Sequence, residues 1–133
     1  MNSQLYLALV GSENLVKNFA SKVNLSHSVV KELGVNLDTK TPKEWQWRTA
    51  RRASYTDFPE DSIAPLLREN EFILSELNHH RHESQVFVTI ICQFEENERP
   101  CGFLFSRETI ELLAQFGASL EIDAVSNMSG PEI

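Results

Sequence analysis

The residues that usually announce chemistry are scarce in this chain. Cysteine occurs only at Cys92 and Cys101, and no CxxC or Cys/His spacing resembles a zinc site. A hairpin register pairing Phe94 with Arg99 would also pair Cys92 with Cys101, but it is one of several, and two such thiols in a cytoplasmic protein are expected to stay reduced. No serine lies in a GxSxG setting, and no strand leads into the glycine-rich turn that holds a phosphate, so neither an elbow nucleophile nor a nucleotide loop is indicated and no cofactor is expected. Long apolar runs are missing too: nothing approaches the roughly 18 consecutive residues of a spanning helix. The segment from Met1 to Val10 offers neither a basic leader nor a small-residue cleavage site, so a cytoplasmic protein is expected.

Positive charge is the other shortage. Twelve Lys and Arg stand against nineteen Asp and Glu, a formal net charge of −7, and the deficit is uneven. Residues 1–56 hold eight bases and four acids, whereas residues 57–133 hold four bases and fifteen acids. Such a surface disfavours nucleic acid and anionic membranes as partners and suits a cationic protein, whose approach it would accelerate.

What is present is ordinary globular material. A hydrophobic content of 41% with 23% charged residues can build a core, and 133 residues suffice for one. A single domain is expected, with an ordered core over about 4–125 and a polar tail from 126 to 133. Gln4 to Val10 is apolar on both alternating faces and reads as an interior strand, stopped by Gly11. Ser12 then caps a helix whose buried stripe is Leu15, Val16, Phe19, Ala20 and Val23. Leu25 to Pro42 reads as a helical turn and a loop. Glu44 to Arg52 alternates again, with Trp45, Trp47, Thr49 and Arg51 on one side and Gln46, Arg48, Ala50 and Arg52 on the other.

A long helix is expected from about Asp61 to His79, with Pro65 tolerated in its first turn. Gln85 to Phe94 reads as a central strand, and Gly102 to Phe105 as a short returning one. Ser106 caps another helix, closed by Gly117, before a last strand over Leu120 to Ala124 with one wet face. The order of elements predicts an α+β domain in two layers: a mixed, mainly antiparallel sheet of four to five strands with helices packed on one face.

Laid out this way, the chain resembles a family of small, mostly bacterial proteins known as domain of unknown function 4279. The likeness rests on Leu5 to Gly11 leading into a helix, on the Trp45-Gln46-Trp47 strand followed by a long amphipathic helix, and on Phe103 to Ser106 opening a helix. That helix closes through the run Leu112 to Asp123, in which it stops at glycine and turns straight into a strand. The resemblance implies this fold and supplies no activity.

Four groups of residues are candidates for function. His79, His80 and His82 follow the long helix, but without a further ligand at metal spacing they read as groups interacting with its C-terminal dipole, and no metal is expected. Trp45 and Trp47 with Arg48 and Arg51 mix aromatic and basic groups; core packing explains the tryptophans, while the arginines would rim a groove for an anionic ligand or acidic peptide. Two acidic loops, Asp57, Glu60 and Asp61 in one and Glu95, Glu96 and Glu98 in the other, would cover a basic target. The leading expectation is a non-enzymatic protein-binding domain, such as an immunity protein that neutralises a cationic toxin. The alternative is a ligand-sensing or enzymatic domain with a pocket beside Trp45 to Arg52, and a third reading is a homodimer formed through sheet edges.

Overall fold

A computed structural model describes residues 2–34, 43–54, 58–95 and 103–126. Its organising element is β1 (Asn2–Gly11), a strand with a neighbour on each side. On one side it pairs antiparallel with β5 (Gln85–Phe94); on the other it pairs antiparallel with β3 (Trp45–Arg48) and then with β4 (Arg52–Ala53). Strand β2 (Val29–Glu32) adds to the outer edge of β3, and β6 (Ala118–Ser126) adds parallel to β5. The sheet therefore has six strands in the order β2-β3-β1-β5-β6, with β4 beside β1, and is mixed but mostly antiparallel.

The alternation read from the sequence decides which side of the sheet is packed. Leu5, Leu7 and Leu9 lie opposite Ile90, Val88 and Val86, and all six are buried in one cluster. Helix α1 (Glu13–Val23) contributes Leu15, Val16 and Phe19 to that cluster, α2 (Ile63–Glu69) contributes Ile63, Leu66 and Leu67, α3 (Leu74–His79) contributes Leu77, and α4 (Arg107–Phe116) contributes Leu113 and Phe116. The helices thus share the core with one face of the sheet, giving the expected α+β fold.

Three helix ends are set by single residues. The hydroxyls of Ser12 and Ser106 accept hydrogen bonds from the amides of Leu15 and Thr109, three residues on, satisfying donors that the first turn leaves unpaired. Helix α4 stops at Gly117, whose φ of +62° lies in the left-handed region that glycine enters without a Cβ clash.

Four expectations are corrected. The segment after α1 is not only a turn and loop: Val29–Glu32 is a strand, because β3 presents an unpaired edge and pairing there satisfies both backbones. The long helix is interrupted at Asn70, whose side-chain amide donates to the Leu66 carbonyl at 2.7 Å while its backbone amide turns to Leu67. That side chain takes the acceptor the next helical turn would use, so the chain passes through a 3-10 turn, Glu71–Ile73, before α3 resumes.

Residues 103–105 form no strand. At Cys92 both edges of β5 are occupied, by Ser3 and by Ala124, so no hairpin return can pair opposite that cysteine. Cys92 is buried, its thiol pushed up in pKa by desolvation, and Cys101 lies outside the described residues. The last strand is longer than expected, Ala118–Ser126, and is the parallel member of the sheet.

Candidate functional site

The Trp strand is interrupted by one extra residue. Ala8 pairs with Arg48 and Leu5 pairs with Arg52, so two residues of β1 face three, Thr49, Ala50 and Arg51, on the other chain. The insertion is a β-bulge, and Thr49 shows how it is held. Its amide donates to the Leu7 carbonyl at 2.9 Å, as an uninterrupted ladder requires. The returning bond comes from the Leu7 amide to the Thr49 hydroxyl, at 3.1 Å, instead of to its carbonyl. That carbonyl accepts from Arg48 Nη1 at 3.0 Å. A hydroxyl that can stand in for a backbone acceptor thus lets the main chain leave the ladder without stranding a buried donor.

The bulge changes which side chains share a face. Continued alternation would place Arg52 with Arg48; the extra residue reverses the parity, so Arg52 pairs with Leu5 on the helix side and forms an ion pair with Glu69 of α2. Arg51 is carried out of the ladder to the wall of a cleft of about 480 Å³. The cleft opens between the end of α1, the bulge, and the interruption at Asn70; its walls include Leu25, His27, Leu66 and Phe72. Phe72 is 63% exposed, an unusual position for a large ring, and it results from the same break in the helix.

The candidate ligand-binding residues do not converge. Trp47 is fully buried, its ring edge-on to Phe19 with centroids 4.9 Å apart, and it belongs to the core. Trp45, half-buried on the same face, carries the Lys17 ammonium 4.6 Å above its ring. Arg48 projects to the other face, where its guanidinium lies 5.1 Å from the centroid of Tyr6. Arg48 is 2% exposed, and burial together with the nearby Arg51 charge lowers its pKa. Among the described residues neither Arg48 nor Arg51 has a carboxylate partner.

Of the acidic candidates, Glu60 is half-buried in a 3-10 turn, Pro59–Ser62, while Asp61 and Glu95 are exposed; Asp57, Glu96 and Glu98 lie outside the described residues. The turn is held at the start of β1: Ser54 donates to the Ser3 carbonyl and shares a hydroxyl contact with Ser62 at 3.3 Å. Because Asn2 pairs with Gln93, Glu95 follows β5 at that same end of the sheet. On the neighbouring edge strand β6, Glu121 and Asp123 stand exposed beside Thr89 and Ile91 of β5.

The histidines differ in burial, although the His79 and His80 rings meet edge-on with centroids 5.0 Å apart. His80 is buried beside Phe19, its Nε2 3.7 Å from Glu76, while His79 and His82 are exposed, and no group of three or more potential metal ligands occurs among the described residues. A second cleft, of about 570 Å³, lies at the turn from β1 into α1 and includes Gly11, Ser12, Lys43, Glu44, His82 and Glu83. Its lysine is held by Glu32 at 2.9 Å, so its uncompensated charge is acidic. No described helix is long and apolar enough to cross a membrane.

Fold and site together define a small α+β domain with an open, mostly antiparallel sheet and surface clefts of opposite charge. The family described as "Domain of unknown function (DUF4279)" matches residues 2–127, and the chain belongs to it. No curated protein and no solved structure matches the chain.

Proposed function

We propose that this is a non-enzymatic protein-binding domain of the cytoplasm that covers a cationic protein, in the manner of an immunity protein against a basic bacterial toxin. The observation that carries the reading is the row of acids at one end of the sheet and along its β6 edge, shared between its two faces. Glu60 and Asp61 come from the 3-10 turn on the helix side and Glu95 from the end of β5, segments far apart in sequence, while Glu121, which accepts from the Thr89 hydroxyl at 3.3 Å, and Asp123 carry the charge along β6 on the opposite face. An edge strand of nine residues presents backbone donors and acceptors to a partner chain, and its charges select which chain can pair. In a symmetric antiparallel pairing of two β6 strands centred on Ile122, Glu121 would face Asp123 of the other copy. That repulsion favours a basic partner over a homodimer.

A pull-down compares the wild-type chain with the D61N/E95Q/D123N variant at low salt, followed by co-expression of any basic protein retained and of toxins encoded nearby. A basic protein held by the wild type, lost with the variant and released at about 1 M salt, where the Debye length falls to about 3 Å, supports the reading. Equal retention by both chains, or sizing that gives a stable homodimer with no heterologous partner, removes it.

A further inference from the structure

The cleft at the bulge carries charge of the opposite sign to the rest of the protein, and that difference supports a second binding activity. From the geometry we infer that this cleft binds a small organic monocarboxylate with an apolar body, its carboxylate held by Arg51. The inference is independent of the protein-binding reading, because it uses none of the acids on which that reading rests.

Arg51 is the principal ground. Its Nε and Nη1 are closed off from solvent without a hydrogen-bond partner, which leaves Nη2 as the donor open to a carboxylate in the cleft, and no contact to an acid neutralises it among the described residues. A guanidinium has no accessible neutral form, so deprotonation cannot relieve the deficit. The other charges in the cleft cancel, since Glu69 is held by Arg52. One positive charge is left over inside a chain of net charge −7. Arg48, likewise without a carboxylate, is close enough to raise the local potential further.

The walls set the rest of the ligand. Leu25, Leu66 and the exposed ring of Phe72 offer an apolar surface, and about 480 Å³ falls within the range of small-molecule sites, roughly 300–1,000 Å³. Two polar groups at the rim are already committed: Ser28 donates to the Leu25 carbonyl and Asn70 to the Leu66 carbonyl. Arg51 is therefore the group that holds the head, with Ser26 and His27 beside it. A single negative charge fits better than a double one, because Arg51 is the one uncompensated cation of the cleft among the described residues and the second charge of a phosphate monoester would go unpaired there.

The test is an amide-resolved NMR titration of the full chain with phenylacetate, 4-phenylbutyrate, phenylacetamide and phenyl phosphate, repeated on R51Q and F72A. Both carboxylates are expected to give saturable shifts at residues 25–28, 50–52 and 70–72, with the neutral amide silent. Loss of the charged hydrogen bonds in R51Q should weaken binding about tenfold or more. Phe72 is exposed, so F72A leaves the core intact and should weaken the phenyl ligands severalfold, which keeps the test decisive if R51Q does not fold. The inference is overturned by shifts that fail to saturate, by unchanged affinity in F72A or in a folded R51Q, or by a preference for phenyl phosphate.

Discussion

Trp47 and Arg48 are neighbours in sequence and nearly equal in burial, yet they close opposite faces of the sheet in opposite ways. Trp47 is covered by helix: Phe19 meets it edge-on, an arrangement worth about 0.5–1.5 kcal/mol beyond the buried area. Arg48 is covered while still charged, with the Tyr6 ring and the Thr49 carbonyl as its compensation. The same division runs along the strands. Leu5, Leu7 and Leu9 face the helices, and Gln4 and Tyr6 face the other way. The helix side supplies stability through apolar area, whereas the strand that carries Arg48 runs on into Arg51, so the unneutralised charge clusters around one bulge. Two faces with such different physics should answer differently to substitution.

The largest difference should come from the helix face. Trp47→Ala removes a fully buried ring and leaves a void under Phe19, at an expected cost of about 3–5 kcal/mol. Against a total of roughly 5–15 kcal/mol for a domain, that loss is large. Urea unfolding monitored by circular dichroism would measure it; a loss under about 1 kcal/mol would mean that Trp47 is not a core residue and that the two faces are alike.

Thr49→Val sharpens the comparison at the point where the faces meet. The replacement is close in volume but removes the hydroxyl, leaving the Leu7 amide without an acceptor in a buried strand. The expected cost is about 1–3 kcal/mol, with hydrogen exchange at the Leu7 amide accelerated more than at Leu5 or Leu9. Uniform exchange along β1 would show that the chain restores an ordinary ladder, and the bulge would then be no more than a preference of this sequence.

The bulge also marks where the sequence stops being readable. Alternation at Leu5 to Val10 and at Val86 to Ile91, and the capping signals at Ser12, Ser106 and Gly117, are local, and each specifies its element through near neighbours. Val29–Glu32 is too short for its own pattern, and its state is decided by the free edge of β3. In the run Thr49-Ala50-Arg51-Arg52 the alternation gives no sign that a hydroxyl will replace a carbonyl, although that exchange reverses the parity of every residue after it. Arg51 was legible as a basic group near the Trp strand. Leu25, His27 and Phe72 were not, because they reach the cleft through the end of α1 and through the Asn70 interruption, both set by tertiary contacts.

The smallest effect, and the one most opposed to Trp47→Ala, is expected from Arg48→Met. The methionine keeps most of the side-chain length and removes a charge that is 2% exposed and faces no carboxylate among the described residues. Burying a charge costs several kcal/mol before compensation, and a hydrogen bond to one carbonyl with a cation–π contact offsets only part of that cost. Replacement by an apolar group of similar size should therefore leave stability within about 1 kcal/mol of the wild type or raise it, although the residue is almost as buried as Trp47. Phenylacetate affinity should fall a fewfold in the same variant, since Arg48 adds positive potential near Arg51 without touching the ligand. A destabilisation of about 3 kcal/mol or more, read by the same urea titration, would mean that the guanidinium is satisfied as it stands. The asymmetry between the two faces would then be one of residue type alone, with no stored charge available to attract an anion.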